Sequence, residues 1–319
     1  MTHPLSILIT GSAGFIGYHA AIALHKKGHF VIGCDHFNAY YDPSLKKART
    51  ALLKNEGIET LHADIGDSIA IEKIIKDHQI THVLHLAAQA GVRYSLDHAE
   101  DYVQSNLVGF VHLLEVLKKT PHIKFIYASS SSVYGSNTNL PFSEKDQTDQ
   151  PVSFYGATKK CNEVIATAYH HLFGIPCTAL RFFTVYGPWG RPDMAYFSFT
   201  RAILEEKPIS IYGEGKLERD FTYIDDIVTG IVAAIDLGSP LDIFNLGNSK
   251  PETTLNLVNI LESLLEKKAI LTFHPMPAGD VRATYADITK SQQKLKFNPS
   301  THLKDGLYQF TKWYRSYYI

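Results

Sequence analysis

Ser6-Ile7-Leu8-Ile9-Thr10-Gly11-Ser12-Ala13-Gly14-Phe15-Ile16-Gly17 sets a short β-branched run against three glycines spaced three apart, and an apolar-periodic stretch continues as far as Gly28. That order reads as strand, tight turn, helix. Glycines at such a turn let backbone N–H groups at the helix start approach an anion, and the helix dipole favours negative charge there. A bare strand-to-helix turn has the same look, so the second strand carries the weight. Phe30-Val31-Ile32-Gly33-Cys34 makes that strand and ends in Asp35. A carboxylate there meets the adenosine ribose of a dinucleotide and repels a 2′-phosphate, favouring NAD over NADP.

The alternation continues. A basic helix from about Ser44 to Lys54 precedes the strand-like Glu59-Thr60-Leu61-His62-Ala63, which ends in Asp64-Ile65. Thr81 to Ala88 is the next strand, and a long helix is expected from about Asp97 to Lys119. Phe125-Ile126-Tyr127-Ala128 runs straight into Ser129-Ser130-Ser131-Ser132-Val133-Tyr134-Gly135, so hydroxyls emerge where a strand should end. Repeated strand and helix implies an α/β, Rossmann-type doubly wound parallel sheet, with ligands at its carboxyl edge. Gly187, Pro188, Gly190 and Pro192 mark a crossing into a smaller, discontinuous α/β lobe. The expected division is 1–183 plus 218–249 for the sheet domain and 184–217 plus 250–319 for the second lobe. Leu255, Val258, Leu261 and Leu265 follow helical spacing and read as core.

The 319 residues, 45% of them hydrophobic, suffice for one large or two intimately joined domains. Formal charge is −1 with no Lys/Arg block, which gives no support to nucleic-acid or anionic-membrane binding. Cys34, Cys161 and Cys177 are odd in number and in no ligand spacing, as expected of free thiols in a reducing cytoplasm. No apolar stretch approaches the ~20 residues of a membrane span. His82/His85 and His170/His171 lack a complementary carboxylate or thiol set, so no metal site is expected.

Tyr155-Gly156-Ala157-Thr158-Lys159 places a phenol and an ammonium four apart, on one face of a helix that should run to Phe173 before Gly174-Ile175-Pro176. An ammonium beside a phenol favours the phenolate and would make a base of a group that ordinarily ionises near ~10. The spacing also occurs at Tyr212/Lys216 and Tyr308/Lys312. Only Tyr155 has the serine cluster for company.

With the Gly-x-x-Gly-x-x-Gly spacing and Tyr155/Lys159, the chain resembles the extended short-chain dehydrogenases/reductases, the NAD-dependent sugar-nucleotide epimerase/dehydratase family, along nearly its whole length. Ala90 to Leu96, Ser129 to Gly135 and Arg181 to Met194 carry the closer match. The resemblance implies that Tyr155 is acid and base, that Lys159 orients it and holds the nicotinamide ribose, and that Ser130 bonds the reacting sugar hydroxyl. Gly11, Gly14 and Gly17 would form the pyrophosphate turn, with Phe15 and Ile16 also at the cofactor, and Asp64 and Ile65 would flank adenine. Leu86, Ala87 and Ala88 would let the cofactor pass close to backbone, with Asn106 bracing that segment. Asp35, Asn38, Gln89, Phe182 and Val185 complete the implied cofactor set. On the substrate side it implies Arg93, Ser131, Ser132, Thr184 and Arg191, with Tyr212 over uracil, Arg219 on the diphosphate and Asp280 on the uridine ribose. Arg93 could equally pin a loop, and Arg191 could meet carboxylate or phosphate. A homodimer through the Asn106 and Tyr155 helices is implied too.

The implied chemistry is transient oxidation of a UDP-sugar at carbon 4, rotation of the 4-keto sugar and reduction on its other face. Relatives that eliminate water carry an Asp-Glu pair where Ser131 and Ser132 stand, and decarboxylases have glutamate at the position of Ser132. Ser130, Ser131, Ser132 and Thr184 would instead offer hydroxyl donors to a carboxylate. UDP-glucuronate to UDP-galacturonate is therefore the first reading. UDP-glucose 4-epimerisation comes next, then UDP-glucuronate decarboxylation, and last a non-catalytic NAD or sugar-nucleotide sensor.

Overall fold

Residues 4–276 and 281–319 are described by the computed structural model. The large sheet is built from β1 (Ser6–Thr10), β2 (Phe30–Asp35), β3 (Glu59–His62), β4 (His82–His85), β5 (Lys124–Ser130), β6 (Cys177–Phe182) and β10 (Leu241–Leu246), with β7 (Thr184–Tyr186), β8 (Pro208–Tyr212) and β9 (Glu218–Tyr223) outside it. Its seven strands lie in the order β10-β6-β5-β4-β1-β2-β3. Every pairing is parallel. Strand order reverses between β1 and β4, and a crevice opens there.

Period-two alternation feeds two cores. Ile7, Ile9, Val31, Leu84 and Ile126 face one cluster, whereas Leu8, Ile32, Val83 and Phe125 face the other. Helices α1 (Phe15–Lys26), α2 (Pro43–Asn55) and α3 (Ser68–Asp77) follow the first three strands. Asp42 and Asp67 cap α2 and α3 by accepting N–H bonds from the first turn, and Pro43 occupies the first position of α2.

The helix expected over 97–119 is not continuous. It comprises α4 (Tyr94–Asp97), α5 (Ala99–Tyr102), a π-helical stretch Val103–Val108 and α6 (Gly109–Leu117). The wide turn coincides with Asn106, whose carbonyl accepts from Asn162 Nδ2 at 2.6 Å while its side chain reaches neighbouring segments. Widened turns of this kind concentrate at functional sites. α7 (Phe154–Phe173) is capped by Ser153, whose Oγ accepts from Gly156 N, and it ends on left-handed Gly174.

Outside the large sheet lie α8 (Ala195–Leu204), the parallel pair β8 and β12 (Ile270–His274), and a small sheet in which β9 pairs with β7, β11 (Pro251–Thr253) and β13 (Ala283–Thr284). Strand β9 thus joins the small sheet, although residue 218 was expected to begin the return to the large one. The return is made by α9 (Ile224–Leu237), which packs on α1. α10 (Thr254–Leu265), α11 (Thr289–Leu295) and α12 (Leu303–Tyr318) complete the chain. Leu257, Val258, Leu261 and Leu265 are the buried stripe of α10; Leu255 is half-buried and packs toward Gly215.

Candidate active site

The crevice at the β1/β4 reversal is floored by the glycine turn. Gly11 has φ +74°, and a Cβ there would stand 2.7 Å from Ala87 N; one at Gly17 would stand 2.2 Å from Gly11 O. Gly14 is the N-cap of α1 and brings no capping side chain, so the first-turn N–H groups face the cleft. This close backbone cradle fits a dinucleotide pyrophosphate. Asp35 ends β2, 6% exposed, and accepts from Phe37 N at 2.8 Å. Lys46 Nζ, from α2, is 3.8 Å from Asp35 Oδ1 and donates to Asn38 Oδ1 at 2.5 Å.

Gly11, Gly14, Phe15, Ile16, Gly17, Asp35, Asn38, Asp64, Ile65, Leu86, Ala87, Ala88, Gln89, Tyr155, Lys159, Phe182 and Val185 all line this one cleft. Asn106 does not. It is buried one layer back, where Oδ1 accepts from Gln89 N at 2.9 Å and Nδ2 donates to Gln89 O at 3.0 Å and Thr158 Oγ1 at 3.1 Å. Its part is to fix the Gln89 backbone rather than to touch a ligand. Sequence reading passed over Lys46 and Tyr40, which also line the cleft. The signal was present in the basic α2, where Lys46 and Arg49 stand three apart on its buried face.

Ser130 ends β5, and its Oγ both accepts from Ser132 N and lies 3.1 Å from Ser132 Oγ. Tyr155, in the first turn of α7, lines the same cleft as Ser130, and its N–H donates to Ser95 Oγ at 3.2 Å. The ammonium expected against this phenol turns elsewhere: Lys159 Nζ donates to Ala128 O at 2.9 Å. Burial dominates both groups. It pushes the Lys159 ammonium down to about 8. It raises the Tyr155 phenol, with the Ser130 bond and the Arg191 charge acting in the other direction. Ser130 and Arg191 thus oppose the burial that favours the neutral phenol, and Lys159, expected to do this, is engaged with Ala128 O instead. Cys34 and Cys177 are buried with thiols pushed up to about 12, which makes them inert.

A second pocket adjoins the first. Ser131, Ser132 and Thr184 line it together with Arg93 and Arg219. Thr184 reaches it from the start of β7, in register with Phe221 of β9. Arg191, expected to meet carboxylate or phosphate, lines the first cleft and forks Asp193 through Nε at 3.0 Å and Nη2 at 2.5 Å. Asp193 in turn accepts from Tyr40 OH at 3.2 Å, so this arginine is tied across the cleft mouth. The Arg93 guanidinium sits 4.5 Å over the Tyr212 ring, covering one face of it. Asp280 lies outside the described residues. No cluster of metal-ligating side chains occurs among the described residues.

The family model of the NAD dependent epimerase/dehydratase family matches residues 7–247. UDP-glucuronate 4-epimerase 3 of Arabidopsis thaliana is 51% identical over 98% of this chain and 77% of its own length. The crystal structure of UDP-glucuronic acid 4-epimerase from Bacillus cereus in complex with UDP-glucuronic acid and NAD superposes with TM-score 0.93 at 37% identity, covering 98% of this chain and 100% of that one. A UDP-glucose 4-epimerase from Thermotoga maritima, with UDP-glucose, gives TM-score 0.88 at 30% identity, covering 98% and 99%.

Proposed function

This chain belongs to the NAD dependent epimerase/dehydratase family, and from that premise we propose that it is an NAD-dependent enzyme that inverts carbon 4 of UDP-glucuronate to give UDP-galacturonate. One observation carries the choice of sugar. The Ser131, Ser132 and Thr184 hydroxyls meet in one pocket with two arginines, beside the Tyr155–Ser130 pair. Three hydroxyl donors converging on one pocket suit a carboxylate, which glucose lacks.

When bound, NAD takes the two electrons of the carbon-4 alcohol and later gives them back. Tyr155 receives the hydroxyl proton as the alcohol is oxidised and returns it to the oxygen after the 4-keto sugar has turned. Ser130 bonds the same oxygen and, through Tyr155, shares the proton path. Lys159, fixed by Ala128 O, brings its positive charge into the cleft that Tyr155 lines, where it would hold the nicotinamide ribose. Ser131, Ser132 and Thr184 hold the carboxylate so that its bond to carbon 5 stays near the plane of the ketone, where carbon dioxide cannot leave readily. Arg93 and Arg219 serve the diphosphate and nucleoside end.

We infer further that the protein works in the cytoplasm as a homodimer. The three free thiols fit a reducing compartment. Val164 and Leu172 on α7, 57% and 72% exposed, offer an apolar face to a second copy. The two lobes are proposed to divide at 183/184 and near 249, with β9 in the smaller lobe. Incubation with NAD and UDP-glucuronate, with the product read by proton NMR, tests the function. UDP-galacturonate is expected; a decarboxylated UDP-pentose or unchanged substrate overturns the reading.

A further inference from the structure

Arg49, on the inner face of α2, is wholly buried, and all five of its N–H donors are used. Nη1 donates to Ala13 O at 2.9 Å and Tyr41 OH at 2.8 Å. Nε and Nη2 donate to Trp189 O at 3.1 and 2.7 Å, and Nη2 also to Gly190 O at 3.1 Å. None of these partners is a carboxylate. A guanidinium taken out of water and matched only by neutral groups keeps much of its desolvation cost, so an anion nearby stabilises it.

Its partners point to where such an anion would sit. Ala13 is the middle of the glycine turn, the anion cradle of the cleft. Trp189 and Gly190 belong to the loop that crosses between lobes, and the next residue is Arg191, which lines the same cleft. The loop is held in a demanding shape: Trp189 is left-handed at φ +60°, and a Cβ on Gly190 would meet Tyr196 OH at 1.8 Å. The Trp189 ring rests 5.8 Å from Tyr18 of α1 and 5.1 Å from Trp313 of α12.

We propose that Arg49 is a positioning residue that couples occupation of the glycine turn by a dinucleotide pyrophosphate to the docking of the crossing loop, and so to the place of Arg191 in the cleft. This rests on the reading that the cleft takes NAD. The anion offsets the buried charge through the Ala13 peptide, and the strengthened guanidinium grips the Trp189 and Gly190 carbonyls. Cofactor loading and the substrate-facing loop are then one equilibrium.

The chain has two tryptophans, so Trp313→Phe leaves Trp189 as the sole reporter. In that background, depleted of bound nucleotide, NAD is titrated while acrylamide quenching of Trp189 is followed and affinity is measured by equilibrium dialysis. NAD should lower the quenching constant several-fold. Adding Arg49→Lys, which keeps the charge and loses the fork, should weaken NAD about 10- to 100-fold and leave Trp189 as quenchable at saturation as without NAD. Unchanged affinity, or weaker binding with Trp189 still protected at saturation, overturns the coupling. If Arg49→Lys does not fold, the Trp313→Phe protein decides alone, since Trp189 quenching indifferent to NAD overturns it too. Absence of NAD binding in the unaltered protein is a separate result, and it removes the cofactor reading itself.

Discussion

Glu163, two helical turns beyond Tyr155 on the same face of α7, receives the Arg181 guanidinium as a fork, Nε to Oε1 and Nη2 to Oε2 both at 2.8 Å. Each side chain is 3% exposed. Ser129 Oγ donates to the same Oε1 at 2.6 Å, and Arg181 Nη1 donates to Tyr134 OH at 3.0 Å. The pair thus locks the tyrosine helix to the ends of β5 and β6, where Ser130 and Thr184 begin. Glu163→Ala strands a buried guanidinium and should cost roughly 3–5 kcal/mol of folding stability, read from urea unfolding. A loss below about 1 kcal/mol would show the pair to be effectively solvated.

Tyr155→Phe removes the transferable proton and little volume. Turnover should drop by ~100-fold or more, while NAD and UDP-glucuronate still bind by calorimetry. A rate near that of the unaltered protein would reduce Tyr155 to a helix residue.

Asp35 opposes a 2′-phosphate, but Lys46 stands 3.8 Å away, ready to receive one. Asp35→Ala should therefore move the NADP-to-NAD affinity ratio up by about 10- to 100-fold, the worth of one charge-assisted hydrogen bond. Adding Lys46→Ala should withdraw most of that gain. If the two variants give equal ratios, Lys46 plays no part in phosphate selection.

Thr184→Val keeps the shape of the side chain and deletes its donor. Because a 4-keto glucuronate is a β-keto acid, loosening its carboxylate should slow epimerisation about 10- to 100-fold and raise the decarboxylated fraction. UDP-glucose, if it reacts, should show no comparable penalty. A rate and product ratio both unchanged for glucuronate would count against the carboxylate pocket.

Burial lowers His82 to about 4 and His85 to about 3, against an ordinary 6.5. Both stay neutral in the fold while the unfolded chain takes up protons, so their contribution is full above 6.5 and is lost as pH falls toward 4. Each should remove about 1.4 kcal/mol of stability per pH unit in that window. His85→Gln should flatten the slope of urea stability between pH 6 and 4.5; an unaltered slope would mean the imidazole is already charged in the fold.

What the chain alone determined was local and periodic. The β-branched run before Gly11, the spacing of Gly11, Gly14 and Gly17, and Asp35 at the end of the second strand fix strand, turn and helix by backbone sterics and hydrophobic period. The alternation of such units leaves a parallel sheet as the consistent arrangement, and its carboxyl edge gathers the residues of the cleft. Tertiary structure decided which groups face one another, because those distances join residues remote in sequence. It placed Arg191 with the dinucleotide residues and Thr184 with Ser131 and Ser132, although only seven positions separate the two in the chain. It turned Lys159 to the Ala128 carbonyl, opened a π turn at Asn106 where Asn162 takes the Asn106 carbonyl, and set β9 into the small sheet. Each of these arises from competition for hydrogen-bond partners in a water-poor interior, which no single stretch of sequence specifies.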